Sequence, residues 1–215
     1  MLWARLTWQA ADPPAFAAGL GSRLGLTPTA GGLVPGAWLL SLGTAVLEVR
    51  PWIREGPMDH PRPAGRLVLE PVPDGEPAPT PTDDDPVVLV GLGWATVELE
   101  RAATELGPWL GDAAPGKASR VEPHLGARAI VHSGAGLPGT WTVLLEPATE
   151  GPTAASLARD GEGPCALYVR PATGLAAVRG AGGPVRDGPF GRQLLLPGEF
   201  TGPFRVVTEG RPPDE

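Results

Sequence analysis

The chain's stock of residues for nucleophilic, acid–base and metal chemistry is small. His60, His124 and His132 are its only histidines and Cys165 its only cysteine. His124 and His132 stand eight residues apart around one candidate strand, and Glu146 could face His132 across a hairpin. Two imidazoles and a carboxylate can begin a divalent-metal site, but only if the fold brings all three together. The plainer reading is two surface histidines, one in a loop and one at a strand end. His60, in Met58-Asp59-His60-Pro61, reads as an exposed loop residue. Cys165, between Pro164 and Ala166 on a predicted strand, has no neighbour to lower its pKa and reads as a small buried hydrophobe. The Asp83-Asp84-Asp85 triplet has the composition of a cation site, yet like charges in a proline-rich stretch read as solvated. Gly91-Leu92-Gly93 does not extend to Gly-x-Gly-x-x-Gly, and neither a phosphate-loop Gly-Lys-Ser/Thr nor a Gly-x-Ser-x-Gly elbow occurs.

Composition narrows the classes further. The 215 residues carry a net charge of -7. An acidic, lysine-poor surface gives no electrostatic footprint for phosphate backbones, so nucleic acid is not an expected partner. No run of about 18 apolar residues predicts a membrane span. The start, MLWARLTWQAADPP, lacks the basic leader, apolar core and cleavage site of a signal peptide. With a single cysteine no intrachain disulfide can form, and the expected location is the cytoplasm. Gly 31 and Pro 28 together reach the range where disorder must be weighed, but 42% hydrophobic residues, 19% charged residues and seven tryptophans oppose it. The glycines and prolines therefore read as punctuation between short elements.

Those elements recur in one order. Before a Pro/Asp-rich linker at 76–86, a strand over 3–10 is followed by Asp12 as N-cap and Pro13-Pro14 opening a helix. Phe16, Leu20 and Leu24 form its apolar stripe and Gly25 its stop. Strands are predicted over 37–42, 45–50 and 66–72, so residues 1–75 read as one βαβββ module. After the linker, residues 87–210 repeat the order twice. Val88 to Val97 is a strand, and Glu98 to Leu110 one helix with Leu99, Ala102, Leu106 and Leu110 on one face. Strands follow over 127–132 and 141–145, and a short helix over 153–159. The next pass has a strand over 165–170, a weak helix over 172–179, and strands over 192–196 and 204–208. Pro35-Gly36-Ala37-Trp38 echoes Pro138-Gly139-Thr140-Trp141, in keeping with duplication.

A repeated βαβββ unit resembles the building block of the vicinal oxygen chelate superfamily, the glyoxalase and bleomycin-resistance group. TVLLEPATEGPTAASLARDGEGPCALYVR, Thr142 to Arg170, is similar to the stretch of methylmalonyl-CoA epimerases that joins one module to the next. VGLGWATVELE, Val90 to Glu100, resembles the module-opening strand. The resemblance implies an α+β fold of paired βαβββ modules in cupped, mostly antiparallel sheets. It also implies a divalent metal held by a His on each opening strand and a Glu or Gln on each final strand. Those positions fall here near Gly91, Cys165 and Ala166, Val143 and Val206, none of which supplies the expected imidazole or carboxylate, so no cofactor is expected.

Strand alternation places Gly91, Gly93 and Ala95 on the face that bears the metal in relatives, with Leu92, Trp94 and Thr96 toward the helix. The same face receives Ala166, Tyr168 and Arg170, and Trp141, Val143, Leu145 and Phe204. In the first module Arg5 and Glu48 fall near the ligand positions and are expected to pair. The resulting expectation is a metal-independent protein that binds a small hydrophobic or aromatic molecule, as drug-sequestering relatives do, with Arg5, Glu48, Trp94, Trp141, Tyr168 and Arg192 as ligand-binding residues. Two alternatives stand beside it: an isomerase, lyase or dioxygenase with a metal displaced to His132, and a non-catalytic scaffold whose aromatics are all core. Because three modules leave one unpaired, a homodimer through the N-terminal module is a possible assembly.

Overall fold

The computed structural model describes residues 4–43, 45–51, 67–71, 85–110, 119–133, 139–178, 183–196 and 204–209. His60, Asp83, Asp84 and the predicted linker up to residue 84 lie outside them. The chain enters as the strand Ala4–Ala10 (β1), whose alternation sets Leu6, Trp8 and Ala10 on one face and Arg5, Thr7 and Gln9 on the other. Asp12 then caps the helix Pro13–Leu24 (α1) by accepting the Ala15 N–H at 3.0 Å. Pro13 and Pro14 occupy the first turn, where no intrahelical donor is needed, and Gly25 ends the helix at φ 71°. Thr29–Ala30 (β2), Trp38–Ser41 (β3) and Val46–Pro51 (β4) complete the first module, with β4 parallel to β1.

The strand expected over 66–72 is present as Leu67–Pro71 (β5), but it is not the module's last strand. It pairs antiparallel with the other edge of β1, so the five-stranded order is β2-β3-β4-β1-β5. The sequence order alone could not separate a fourth module strand from a strand that caps the sheet, because both are short apolar runs after a turn.

The second module consists of Val87–Ala95 (β6), Leu99–Glu105 (α2), Gly107–Leu110 (α3), Arg120–Glu122 (β7), Ala127–Ser133 (β8) and Trp141–Pro147 (β9). After the helix Pro152–Asp160 (α4), the third consists of Gly163–Pro171 (β10), Leu175–Val178 (α5), Arg186–Gly188 (β11), Gly191–Leu196 (β12) and Phe204–Thr208 (β13). In each, the last strand lies parallel beside the first. The opening strands β6 and β10 pair antiparallel, which joins the modules in one sheet of order β11-β12-β13-β10-β6-β9-β8-β7. These are the expected cupped, mostly antiparallel sheets of an α+β protein. The single helix expected over 98–110 is corrected to two: Pro108 offers no N–H and crowds the preceding turn, so the helix breaks after Glu105. Its apolar stripe survives, with Leu99, Ala102 and Leu110 buried against Leu144.

The two sheets share a core. Leu6, Trp8, Leu47 and Val49 join Ala17, Leu20 and Leu24 of α1, and the same cluster runs on to Leu89, Leu92, Leu167, Val169, Leu194 and Val207 on the outer face of the large sheet. Trp8 stacks on Phe16 with centroids 5.5 Å apart. The Leu89 N–H donates to the Leu42 carbonyl at 2.8 Å, tying the sheets through backbone. Among the described residues, no helix is long and apolar enough to cross a membrane.

Helix α2 begins on carboxylates borrowed from elsewhere. Glu146 Oε2 accepts the Leu99 N–H at 3.0 Å, and Glu162 Oε1 accepts the Val97 N–H at 2.8 Å, the Thr96 hydroxyl at 2.6 Å and the Arg101 guanidinium at 2.5 Å. The bond from Arg101, then those from Thr96 and Val97, hold the Glu162 carboxyl down at about 2, against an ordinary value of 4.5. A depressed folded-state pKa adds stability that is present above 4.5 and is lost as pH falls through about 2. Glu162→Gln is therefore expected to lower stability at neutral pH by at most about 1 kcal/mol, since the site is partly exposed. Denaturant midpoints measured across that acid window should fall less steeply for the variant than for the parent chain.

Candidate functional site

The inner face of the large sheet is where the modules meet. Val143, Leu145, Ala166, Tyr168 and Val206 line it, all fully buried, with Gly91 and Gly93 between them. Two rings fill its floor. Tyr168 and Phe190 meet edge to face with centroids 5.1 Å apart and planes at 68°. A Cβ on Gly91 would lie 2.7 Å from Phe190 Cζ, and one on Gly93 would lie 2.7 Å from Ala166 Cβ and 3.0 Å from Leu145 Cδ1. The glycines of the opening strand thus make room for the rings. The register also slips here, from Tyr168 opposite Gly91 to Val169 opposite Leu89, so Val90 is an extra residue on the bulged strand. Trp141, Phe204 and Leu195 pack half-buried at the margin of this face.

One polar cluster enters the apolar interior. Glu122, fully buried, accepts the Tyr168 hydroxyl at 3.0 Å and the Gln193 side-chain amide at 2.6 Å on Oε2, and the His124 backbone N–H at 3.1 Å on Oε1. Burial pushes its carboxyl above the usual carboxylate range, against the pull of Gln193, the His124 N–H and Tyr168. Burial, and then the Glu122 charge, push the Tyr168 phenol well above its ordinary value. Cys165 is buried on the same face and burial drives its thiol up to about 12, so it is an inert packing group.

The cluster sits where the two edge strands of the sheet, β7 and β11, approach each other. Among the described residues, side chains rather than a backbone ladder join them. Arg120 donates to the Pro189 carbonyl and Arg186 to the Pro123 carbonyl, each at 3.4 Å, and His124 Nε2 donates to the Gln193 carbonyl at 3.0 Å.

The six residues expected to bind a ligand fall in different places. Arg5 and Glu48 do pair, Nη1 to Oε2 at 3.3 Å, on the face of the first sheet opposite α1. Glu48 also takes Arg50 at 3.0 Å and the Leu33 N–H at 2.7 Å, and Arg50 reaches Glu70 at 2.8 Å. Burial raises the Glu48 carboxyl, but these donors and the charges of Arg50 and Arg5 outweigh it and hold it below its ordinary range. Tyr168 and Trp141 are on the inner face of the large sheet, Tyr168 with no exposed surface. Trp94 lies toward the helix, as alternation placed it, in the outer-face cluster with Leu99, Leu106 and Ile130 and away from the inner face. Arg192 is exposed and bonded to Glu209 at 3.4 Å, while strand alternation turns its neighbour Gln193 inward. Glu122, Gln193 and Phe190 went unread because each sits on or beside a strand of six residues or fewer, too short for a period to show.

The displaced-metal alternative is not assembled. His132 pairs with Thr142 across β8 and β9, whereas Glu146 is bound by Arg128 at 2.6 Å and by the Leu99 N–H. His124 stands in the turn after β7, at the seam. Among the described residues no three His, Cys, Asp or Glu side chains are grouped to hold a metal ion.

No family model matches the chain, and no curated protein matches it. Solved structures do. A variant of 4-hydroxymandelate synthase from Streptomyces coelicolor superposes with a TM-score of 0.60 at 14% identity, covering 99% of this chain and 93% of that one. Methylmalonyl-CoA epimerase from Mycobacterium tuberculosis matches 58% of this chain and 88% of its own, at 19% identity and TM-score 0.47. A hypothetical protein from Bacillus halodurans matches 60% of this chain and 98% of its own, at 15% identity and TM-score 0.45. The likeness shows the fold alone: the chain has the glyoxalase-like arrangement of paired βαβββ modules. The positions at which the resemblance puts the ligands of a divalent metal carry residues that do not fit one. Gly91, Gly93, Val143, Ala166 and Val206 offer no ligand atom, and an imidazole at Gly91 would collide with Phe190.

Gly91→Ala is expected to destabilise the protein by about 1–3 kcal/mol through that ring contact. In a Phe190→Leu background the same change should cost less, because the ring is gone. Additive costs in denaturant unfolding would show that Phe190 is not what requires the glycine.

Proposed function

We propose that the protein is a metal-independent, non-catalytic member of the glyoxalase-like fold that binds a small hydrophobic or aromatic molecule at the inner face of the large sheet. The observation that carries this reading is the chemistry of that face. Its wall is mostly apolar, its Glu122 carboxyl takes the Tyr168 hydroxyl and the Gln193 amide, and Trp141, Phe204 and Leu195 remain half-buried at its margin. An aromatic ligand stacked on Trp141 needs no metal and no charged partner.

A second reading is favoured by a specific observation. Tyr168 and Phe190 have no exposed surface and fill the floor, which is what a scaffold with a wholly packed interior would have. One set of measurements separates the two. Purified protein is analysed for Mn, Fe, Ni and Zn by mass spectrometry and titrated with a panel of small aromatic compounds while tryptophan emission is followed. Substoichiometric metal with saturable quenching, weakened about tenfold by Trp141→Ala, is the expected result. A stoichiometric metal whose removal abolishes binding would replace this reading with a metal-dependent one, and a flat response to the whole panel would leave the scaffold.

A further inference from the structure

The seam between β7 and β11 places a carboxyl with no exposed surface and, among the described residues, no salt-bridge partner. Glu122 has no exposed surface, and its three direct partners, the Gln193 amide, the Tyr168 hydroxyl and the His124 N–H, are all neutral donors. Four arginines on the elements around it are engaged elsewhere. Arg120 and Arg186 donate to backbone carbonyls across the seam, Arg192 meets Glu209, and Arg128 meets Glu146 on the far face. The His124 ring, beside it on the seam, donates to the Gln193 carbonyl. An ionised carboxylate in that setting carries a large desolvation cost.

Gln193 supplies an independent sign. Its side chain is fully buried, its Nε2 lies 2.6 Å from Glu122 Oε2, and its Oε1 has no hydrogen-bond partner. A proton on Glu122 gives the pair a donor for that oxygen, as an acid and a primary amide provide for each other. Turning the amide over would set its oxygen 2.6 Å from the carboxyl oxygen instead, a contact that itself requires a proton between them. The bonds Glu122 accepts suit either ionisation state; its burial and the Gln193 oxygen left without a partner favour the neutral acid.

We propose that the β7–β11 seam is a proton-operated latch, closed while Glu122 is protonated and paired with Gln193 and opening when that proton is lost. Among the described residues side chains join this seam, so losing the pair leaves it to the Arg120, Arg186 and His124 bonds and loosens the edge strands without breaking a backbone ladder. Opening admits water to the Tyr168–Phe190 floor. The burial that raises the Glu122 carboxyl sets the sign: closure is fully favoured below the ordinary carboxylate pKa and weakens as pH rises through the raised one. This inference does not depend on any ligand.

Hydrogen exchange read by mass spectrometry on the intact chain, from about pH 5 to about pH 9 and corrected for intrinsic exchange, tests it. Peptides over 120–126 and 186–194 should show an opening constant that rises by up to about tenfold per pH unit between the ordinary carboxylate pKa and the raised one and levels off above it, the slope for release of one proton. In Glu122→Gln, which keeps the amide pairing without a titrating group, that slope should vanish. A slope unchanged in the variant, or a flat profile in the parent chain, overturns the latch. Should the variant not fold, infrared spectroscopy of the parent chain decides. A buried protonated-carboxyl carbonyl band near neutral pH that disappears as the exchange rises supports the proposal, and absence of that band refutes it.

Discussion

A βαβββ module places its last strand beside its first and leaves the other edge of that first strand open. An open, apolar strand edge invites pairing with whatever is near, and the architecture follows from how each edge is covered. In the large sheet β6 and β10 cover each other, which fuses two modules into one cup and makes their inner faces continuous. In the first module, among the described residues, β5 covers that edge. That strand has a second effect. It sets Glu70 opposite Arg5 and in reach of Arg50, completing the ion network around the buried Glu48. The edge on which a second copy of the module would dock is the one β5 occupies.

Covering the edges also decides what the cup can hold. Antiparallel pairing of β6 with β10 brings Gly91 level with Tyr168 and Gly93 level with Ala166. Large side chains on both strands would collide there, so size is divided: glycine on one strand, an aromatic ring on the other, and Phe190 laid over the gap. The small residues at these positions are thus demanded by packing. Placing an imidazole there would take more than one substitution, because the volume it needs is already in use.

Much of this was legible from the chain. The α1 cap at Asp12, its stop at Gly25, the opening strands and the inward set Gly91, Gly93, Tyr168, Trp141 and Val143 all follow from periodicity and cap chemistry, which act over a few residues. The Arg5–Glu48 pair was legible because one strand alternates each residue onto a known face. Elements defined by partners far along the chain were not. β5 is a module strand or an edge cap depending only on which side of β1 it joins. Gln193 was passed over for Arg192 because a one-residue change of facing on a short strand moves a charge from the interior to solvent. Glu122, a lone carboxyl between Val121 and Pro123, carries no local mark of burial. It is buried by β12, some seventy residues away.

A carboxyl and a phenol with displaced ionisation inside a cup would ordinarily mark a catalytic pair. Here the same displacement has a structural source. Both groups are spent on each other and on Gln193, and the Tyr168 hydroxyl donates to Glu122 rather than pointing into free space. A general acid or base must offer its proton to a substrate atom within hydrogen-bond reach. While the seam is closed, neither group has surface on which to meet one. In the closed cup their chemistry is that of holding the sheet's edges together. Side chains, the acid–amide pair among them, do across the seam what a ladder of backbone bonds does elsewhere in the fold. The pair gives that closure a sensitivity to pH that a ladder would not have.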